Sequence, residues 1–193
     1  YALSTGDPRG LDYALRTFDL LQCYCADVAR GGYYENLEPD WTLSAAGFHA
    51  GDRKSLDIHM HLMECLTTLA AASGDAIHRR RLQEVIDVIL NHMVDWEHGC
   101  GGNQYDLDFH PLPAIAIRRT FNAERDGEAV EEPVDSTSYG HNIELAWLLL
   151  QAADVLGQNP DDYEDAVRSL VDHAMRYGLD REYGGVYRDG PHD

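Results

Sequence analysis

Two groups of residues have the types and the spacing for acid–base chemistry. His141, Glu144 and Trp147 recur at three-residue steps, so on a helix they share one face. Ser136, Thr137 and Ser138 are competent N-caps ahead of an apolar run to Leu156, which puts His141 in the first helical turn. The positive end of a helix dipole favours neutral imidazole, the form a base needs. Glu144 can orient the ring or bind a hydroxyl, and Trp147 adds an aromatic wall. A core helix whose histidine is merely hydrogen-bonded is the alternative reading of the same spacing.

The second group is Asp57, His61 and Glu64, spaced i, i+4, i+7 on another helix. His59 lies two steps from His61, about 200° around a regular helix, so His-Met-His cannot chelate one metal. No cysteine pair or HExxH pattern supports a metal site, and none is expected. His59 is read instead as a packed or capping side chain. Two histidines facing one cavity from neighbouring helices, His61 and His141, would form an acid/base pair able to take a proton from carbon and return it from another side. Arg118 and Arg119 could neutralise an enediolate oxygen, although ion pairing within so acidic a chain is the favoured reading. Tyr33, Trp41, Trp96, Tyr105 and Tyr139 could stack on sugar rings, but each alone is more often packing. Nucleophile-elbow, P-loop and dinucleotide fingerprints are absent from the sequence.

The elements that must position these residues are helical. Apolar spacing predicts helices at about 11–28, 57–71, 78–94, 139–156 and 163–177. The stretches 57–71 and 139–156 are apolar almost all round, whereas 78–94 and 163–177 are cleanly amphipathic. Arg79, Arg80, Glu84 and Asp87 are placed on the solvent side of the 78–94 helix. Gly-Gly recurs after helices at Gly31-Gly32, Gly101-Gly102 and Gly184-Gly185. Inner and outer helices in repeating hairpins describe an all-α toroid, with short β-ribbons in the Gly-Gly loops. The segment 98–136, rich in Gly, Pro, Asn and Arg, reads as a long irregular excursion near a site. Three hairpins would not close a ring, so the chain is expected to be a partial toroid over residues 1–193, about its central half. The other expectation is a homo-oligomer that completes the ring.

Composition limits the partners. With 15 Lys and Arg against 34 Asp and Glu, the formal charge is −19, which argues against nucleic acid or an anionic membrane surface. No apolar run reaches transmembrane length. Cys23 and Cys25 are too close on one helix to pair, and Cys65 sits in an apolar stripe as a buried thiol. Reduced thiols imply a cytoplasmic location.

Leu56-Asp-Ile-His-Met-His-Leu-Met-Glu-Cys-Leu-Thr, taken with Ser138-Tyr-Gly-His-Asn-Ile-Glu-Leu-Ala-Trp-Leu-Leu, resembles the N-acylglucosamine 2-epimerase family, which includes cellobiose 2-epimerases and mannose or sulfoquinovose isomerases. Thr5-Gly-Asp, Gly31-Gly-Tyr-Tyr-Glu and Gly184-Gly-Val-Tyr fall in the family's order, so the likeness covers nearly the whole chain. The resemblance implies an (α/α)6 barrel with a sugar held at its mouth. It implies that His141 is one of a proton-transfer pair and that His61 contacts the sugar and its oxygens. Asp57 stands where cellobiose epimerases usually carry Asn, and Glu144 would contact the substrate or orient His141. Family members are longer, with another catalytic histidine near the C-terminal end and an early arginine. His192 is too early to stand in for that histidine. The activity implied is sugar 2-epimerisation or aldose–ketose isomerisation through a cis-enediolate, with no cofactor. Two other readings are a non-catalytic sugar-binding or assembly scaffold, and a glycoside-processing enzyme. The latter would need an opposed carboxylate pair, and none is visible in the sequence.

Overall fold

The structure, a computed structural model, describes residues 1–115 and 133–193. Arg118 and Arg119 lie outside the described residues. The helices are α1 (Ala2–Thr5), α2 (Pro8–Leu20), α3 (Leu56–Ser73), α4 (Ala76–Val88), α5 (Tyr139–Leu156) and α6 (Glu164–Tyr177). The short strands are β1 (Arg53–Ser55), β2 (Val94–Asp95), β3 (Cys100–Gly101), β4 (Gln104–Asp106), β5 (Pro111–Leu112), β6 (Ser136–Ser138) and β7 (Asp189–Pro191). All their pairings are antiparallel: β1–β4–β5, β2–β3 and β6–β7.

The inner helices α3 and α5 pack on each other, while α4 covers α3 and α6 covers α5. Their sequences explain this layering. Leu56, His59, Met60, Met63, Leu66, Thr67 and Ala70 are buried along α3, and Leu145, Leu148, Leu149 and Ala152 along α5. Helices this apolar need cover on most sides, and the amphipathic α4 and α6 supply it through Leu82, Val85, Ile86 and Leu170. The remaining stripe of α3 is open, and Cys65 lies on it, exposed rather than buried. The apolar neighbours of Cys65 in sequence point to the core while its own step of the helix points away. All four cysteines are free.

Both inner helices start and stop in the same way. Ser55 Oγ accepts from Ile58 N (3.2 Å) and Ser138 Oγ from His141 N (3.4 Å). Gly74 and Gly157, at φ 67° and 70°, take the left-handed C-cap position. Arg79 is not a solvent-side residue. Its guanidinium spans from α4 to the end of α5, donating to Val155 O and Leu156 O at 2.7 Å each. Those carbonyls lack helical partners, and the cation opposes the negative end of the α5 dipole.

The first outer helix ends earlier than expected: α2 stops at Leu20 and continues as a π-helical turn, Leu21–Cys25, and α4 likewise ends in Ile89–Met93. Each outer helix then enters the same aspartate turn. Asp27 Oδ1 accepts from Ala29 N and Arg30 N, Asp95 Oδ1 from Glu97 N and His98 N, and Asp180 Oδ1 from Glu182 N and Tyr183 N. The residue four beyond each aspartate is a left-handed glycine: Gly31 at φ 84°, Gly99 at 77° and Gly184 at 80°. The repeat therefore runs through Gly99-Cys100, correcting the expectation of Gly101-Gly102. Position, set by the aspartate turn, defines equivalence, not the dipeptide. The expected β-ribbons follow these turns, as the bridges Ala26–Tyr33 and Leu179–Val186 and the β2–β3 pair.

Candidate active site

β1 leads into α3 and β6 into α5, so the N-termini of both inner helices open at one end of the layer. Asp57 is the second residue of α3, and His141 the third of α5. Asp57 Oδ1 lies 3.3 Å from His61 Nε2 and 3.6 Å from His141 Nε2. One carboxylate oxygen thus stands between imidazoles from two helices. The other face of His61 meets Glu64, with Nδ1 3.3 Å from Oε2. Counted from the serine caps, His61 and Glu144 hold the same position on the two helices, and the ligand atoms of His61, Glu64 and Glu144 lie within 4.8 Å of one another.

The structure therefore brings His61, His141, Asp57, Glu144 and Glu64 together. His61 and Asp57 are about half exposed and His141 is 36% exposed by side chain, so these groups are open to a small polar ligand. Trp147, one turn beyond Glu144 on the same face, is 48% exposed. Glu64 and Glu144 form an opposed carboxylate pair that the sequence did not reveal, since they come from different helices. His61 offers a ring nitrogen within the same 4.8 Å cluster.

His59 faces the other way and is fully buried. Its Nδ1 is 2.7 Å from Ser55 O, and its Nε2 accepts from Tyr33 N at 3.0 Å. Burial pushes this imidazole down to about 4, so it is a neutral structural residue, as the sequence indicated. Lys54, next to it, is also fully buried. Its ammonium meets Asp27 at 3.0 Å, Gly31 O at 2.7 Å and Leu107 O at 2.9 Å. Of the aromatics weighed as sugar platforms, Tyr33, Tyr105 and Tyr139 are core residues. Trp41 stacks on Tyr24 with ring centroids 4.8 Å apart. Trp96 donates to Leu90 O at 3.0 Å.

Glu35 is the neighbour that sequence reasoning passed over. It is half-buried, and Ser55 Oγ, the cap of α3, lies 2.6 Å from its Oε2. Burial, with the Asp57 charge adding to it, raises this carboxyl to about 7. Its place in Gly-Gly-Tyr-Tyr-Glu, directly after a repeated turn, was the available signal.

Layered helical hairpins with a histidine–carboxylate cluster at the inner-helix N-termini define an (α/α)-toroid protein with a polar site at its mouth. The chain belongs to the N-acylglucosamine 2-epimerase (GlcNAc 2-epimerase) family, whose model matches residues 1–189. A cellobiose 2-epimerase of Bacteroides fragilis is 28% identical over 95% of this chain and 43% of its own length. Among solved structures, a cellobiose 2-epimerase from Bacillus thermoamylovorans superposes with a TM-score of 0.80 at 19% identity, covering 99% of this chain and 45% of that one. A D-mannose isomerase gives 0.76 at 20% identity, covering 100% of this chain and 45% of the other. The chain thus spans under half the length of these relatives and has the fold of about half their (α/α)6 barrel. Among the described residues, no helix is long and apolar enough to cross a membrane.

Proposed function

We propose that the protein to which these residues belong is a sugar 2-epimerase or aldose–ketose isomerase, and that His141 and His61 carry its proton transfers. The observation that carries this reading is the approach of both imidazoles to Asp57 from separate inner helices. In the ring-opened aldose the C1 carbonyl acidifies the C2–H bond. One histidine takes that proton as the C–H pair becomes the C1–C2 double bond of a cis-enediolate, and negative charge moves onto the carbonyl oxygen. A proton returned to the opposite face of C2 yields the epimer, and one returned to C1, with the O2 hydroxyl proton passing to O1, yields the ketose. Asp57 and Glu144 hold sugar hydroxyls and the imidazole orientations, and Trp147 provides a ring face for the sugar. The carbonyl supplies the electron sink, so this route needs no cofactor. Membership of an epimerase family and the isomerase and epimerase names of its structural relatives support the reading.

The experiment is incubation of the full-length protein with aldoses in D2O. Deuterium is expected at C2 or C1, and His141→Ala should abolish it. Bound sugar with no exchange at either carbon would favour a non-catalytic sugar-binding scaffold instead.

A further inference from the structure

Away from the inner-helix cluster, a second group of side chains converges beneath the end of β7. Asp95 Oδ2 lies 2.8 Å from His98 Nδ1 and 3.0 Å from His192 Nδ1. The three ligand atoms all fall within 4.8 Å of one another. We propose that Asp95, His98 and His192 form a zinc-type divalent cation site that fastens β7 to the β2–β3 turn.

The geometry suits that ion. Zinc bonds of roughly 2.0–2.2 Å to nitrogen and oxygen put tetrahedral ligand atoms about 3.3 Å apart, close to both contacts of Asp95 Oδ2, and the two imidazole nitrogens lie no more than 4.8 Å apart. Two imidazoles with one carboxylate select zinc and its borderline neighbours over magnesium or calcium. Side-chain exposures of 30% for Asp95, 35% for His98 and 10% for His192 leave an open side for a water as fourth ligand.

The surroundings hold each ligand in place. Asp95 Oδ1 is occupied by the amides of Glu97 and His98, at 3.0 and 3.2 Å, which turns Oδ2 toward the histidines. His192 is fixed at three points: its N–H donates to Asp135 O (2.8 Å), its carbonyl lies 2.6 Å from His173 Nε2, and its own Nε2 is 3.2 Å from Ser136 O. A ring N–H directed at a backbone carbonyl is the usual outer partner of a metal-bound histidine. With a proton on Nε2, the Nδ1 lone pair would face Asp95 Oδ2 at 3.0 Å, a contact that either a second ring proton or a bound cation satisfies.

The aspartate turn itself does not require the histidines. Asp27 and Asp180 make the same turn, with Arg30 and Tyr183 in the place of His98. The site would act on the neighbouring active site only through the backbone, because β7 pairs with β6 and β6 runs into the cap of α5.

The test is Zn2+ alone, titrated in competition with a chromophoric chelator against the chelator-stripped full-length protein. One Zn2+ is expected, with affinity falling about tenfold or more in both His98→Gln and Asp95→Asn. Asp95→Asn keeps the Oδ1 acceptor of the turn, and His98 is on the surface, so neither change attacks the fold. Glu64→Gln, in the other cluster with ligand spacing, should leave that affinity unchanged. Zn2+ should also raise the melting temperature of the wild type but not of His98→Gln. Equal affinity in wild type and His98→Gln, a loss caused by Glu64→Gln instead, or no Zn2+ bound at about 100 µM would each overturn the site. The three residues would then be a hydrogen-bonded triad only.

Discussion

His59 and Asn142 occupy the same position on the two inner helices, four residues past the capping serine, and make the same bond. His59 Nε2 accepts from Tyr33 N at 3.0 Å, and Asn142 Oδ1 accepts from Gly101 N at 2.8 Å. Tyr33 and Gly101 are themselves equivalent, each being the returning partner in the ribbon after an outer helix. An imidazole and a carboxamide thus solve one problem, a backbone amide that would otherwise be buried without an acceptor.

This equivalence predicts how His59 responds to acid. Its folded value, near 4, lies below the ordinary 6.5, so the unfolded chain takes up the proton first. Stability from this group is complete above about 6.5 and drains away as pH falls toward 4, by on the order of 3 kcal/mol. His59→Gln keeps an acceptor near Tyr33 N without a titrating ring. Urea denaturation at pH 7 and pH 4.5 should show a smaller acid loss for His59→Gln than for the wild type.

Glu35 should behave with the opposite sign. Its folded value of about 7 exceeds the ordinary 4.5, so the protonated acid is the favoured buried form. The stability it contributes is full below about 4.5 and is lost as pH rises through 7. Glu35→Gln removes that loss, and the variant should gain on the wild type by on the order of 1–2 kcal/mol between pH 5 and pH 8. Melting curves across that range would read it directly.

Lys54 and Asp27 are a fully buried ion pair at 3.0 Å. Burial lowers the Lys54 ammonium. Burial also works to raise Asp27, but the Lys54 contact and the amides of Arg30 and Ala29 together outweigh it and hold that carboxyl below its usual range. Lys54→Met leaves Asp27 buried beside Arg30 alone and should cost roughly 3–5 kcal/mol. Lys54→Met combined with Asp27→Asn should recover part of the loss. Chemical denaturation of the single and double variants gives the coupling.

For the proposed proton transfer, His141→Ala should lower kcat by on the order of 10²–10⁴. Asp57→Asn leaves both rings in place but removes the charge between them, and should cost about 10² or less through loosened orientation. Deuterium exchange at C2 of the substrate separates the two effects, since Asp57→Asn should slow exchange without abolishing it. A shifted pH–rate profile in Asp57→Asn would mark it as a positioning residue.

Much of this was legible along the chain because it depends on local spacing. Hydroxyl caps before an apolar run located α5 and put His141 in its first turn, and apolar spacing located α3. The i, i+4, i+7 spacing put Asp57, His61 and Glu64 on one face, and the 200° offset separated His59 from His61. Periodicity also divided inner helices from outer ones. It misjudged Cys65 because one angular step decides core or hollow, and Arg79 because its partners are carbonyls of a helix 76 residues away. The Gly101-Gly102 repeat failed because a dipeptide is not a conformation, and Asp95 places the left-handed turn at Gly99.

Sequence by itself determined the helices, the hydroxyl cap of α5, the inner and outer layers and the separation of His59 from His61, since each follows from spacing within a few residues. Only the tertiary structure decided that Asp57 stands between His61 and His141, that Glu64 meets Glu144, and that His192 reaches Asp95 across 97 positions. Those contacts depend on how far each helix is rotated and shifted against its neighbour, and that is set by the interlocking of many buried side chains at once.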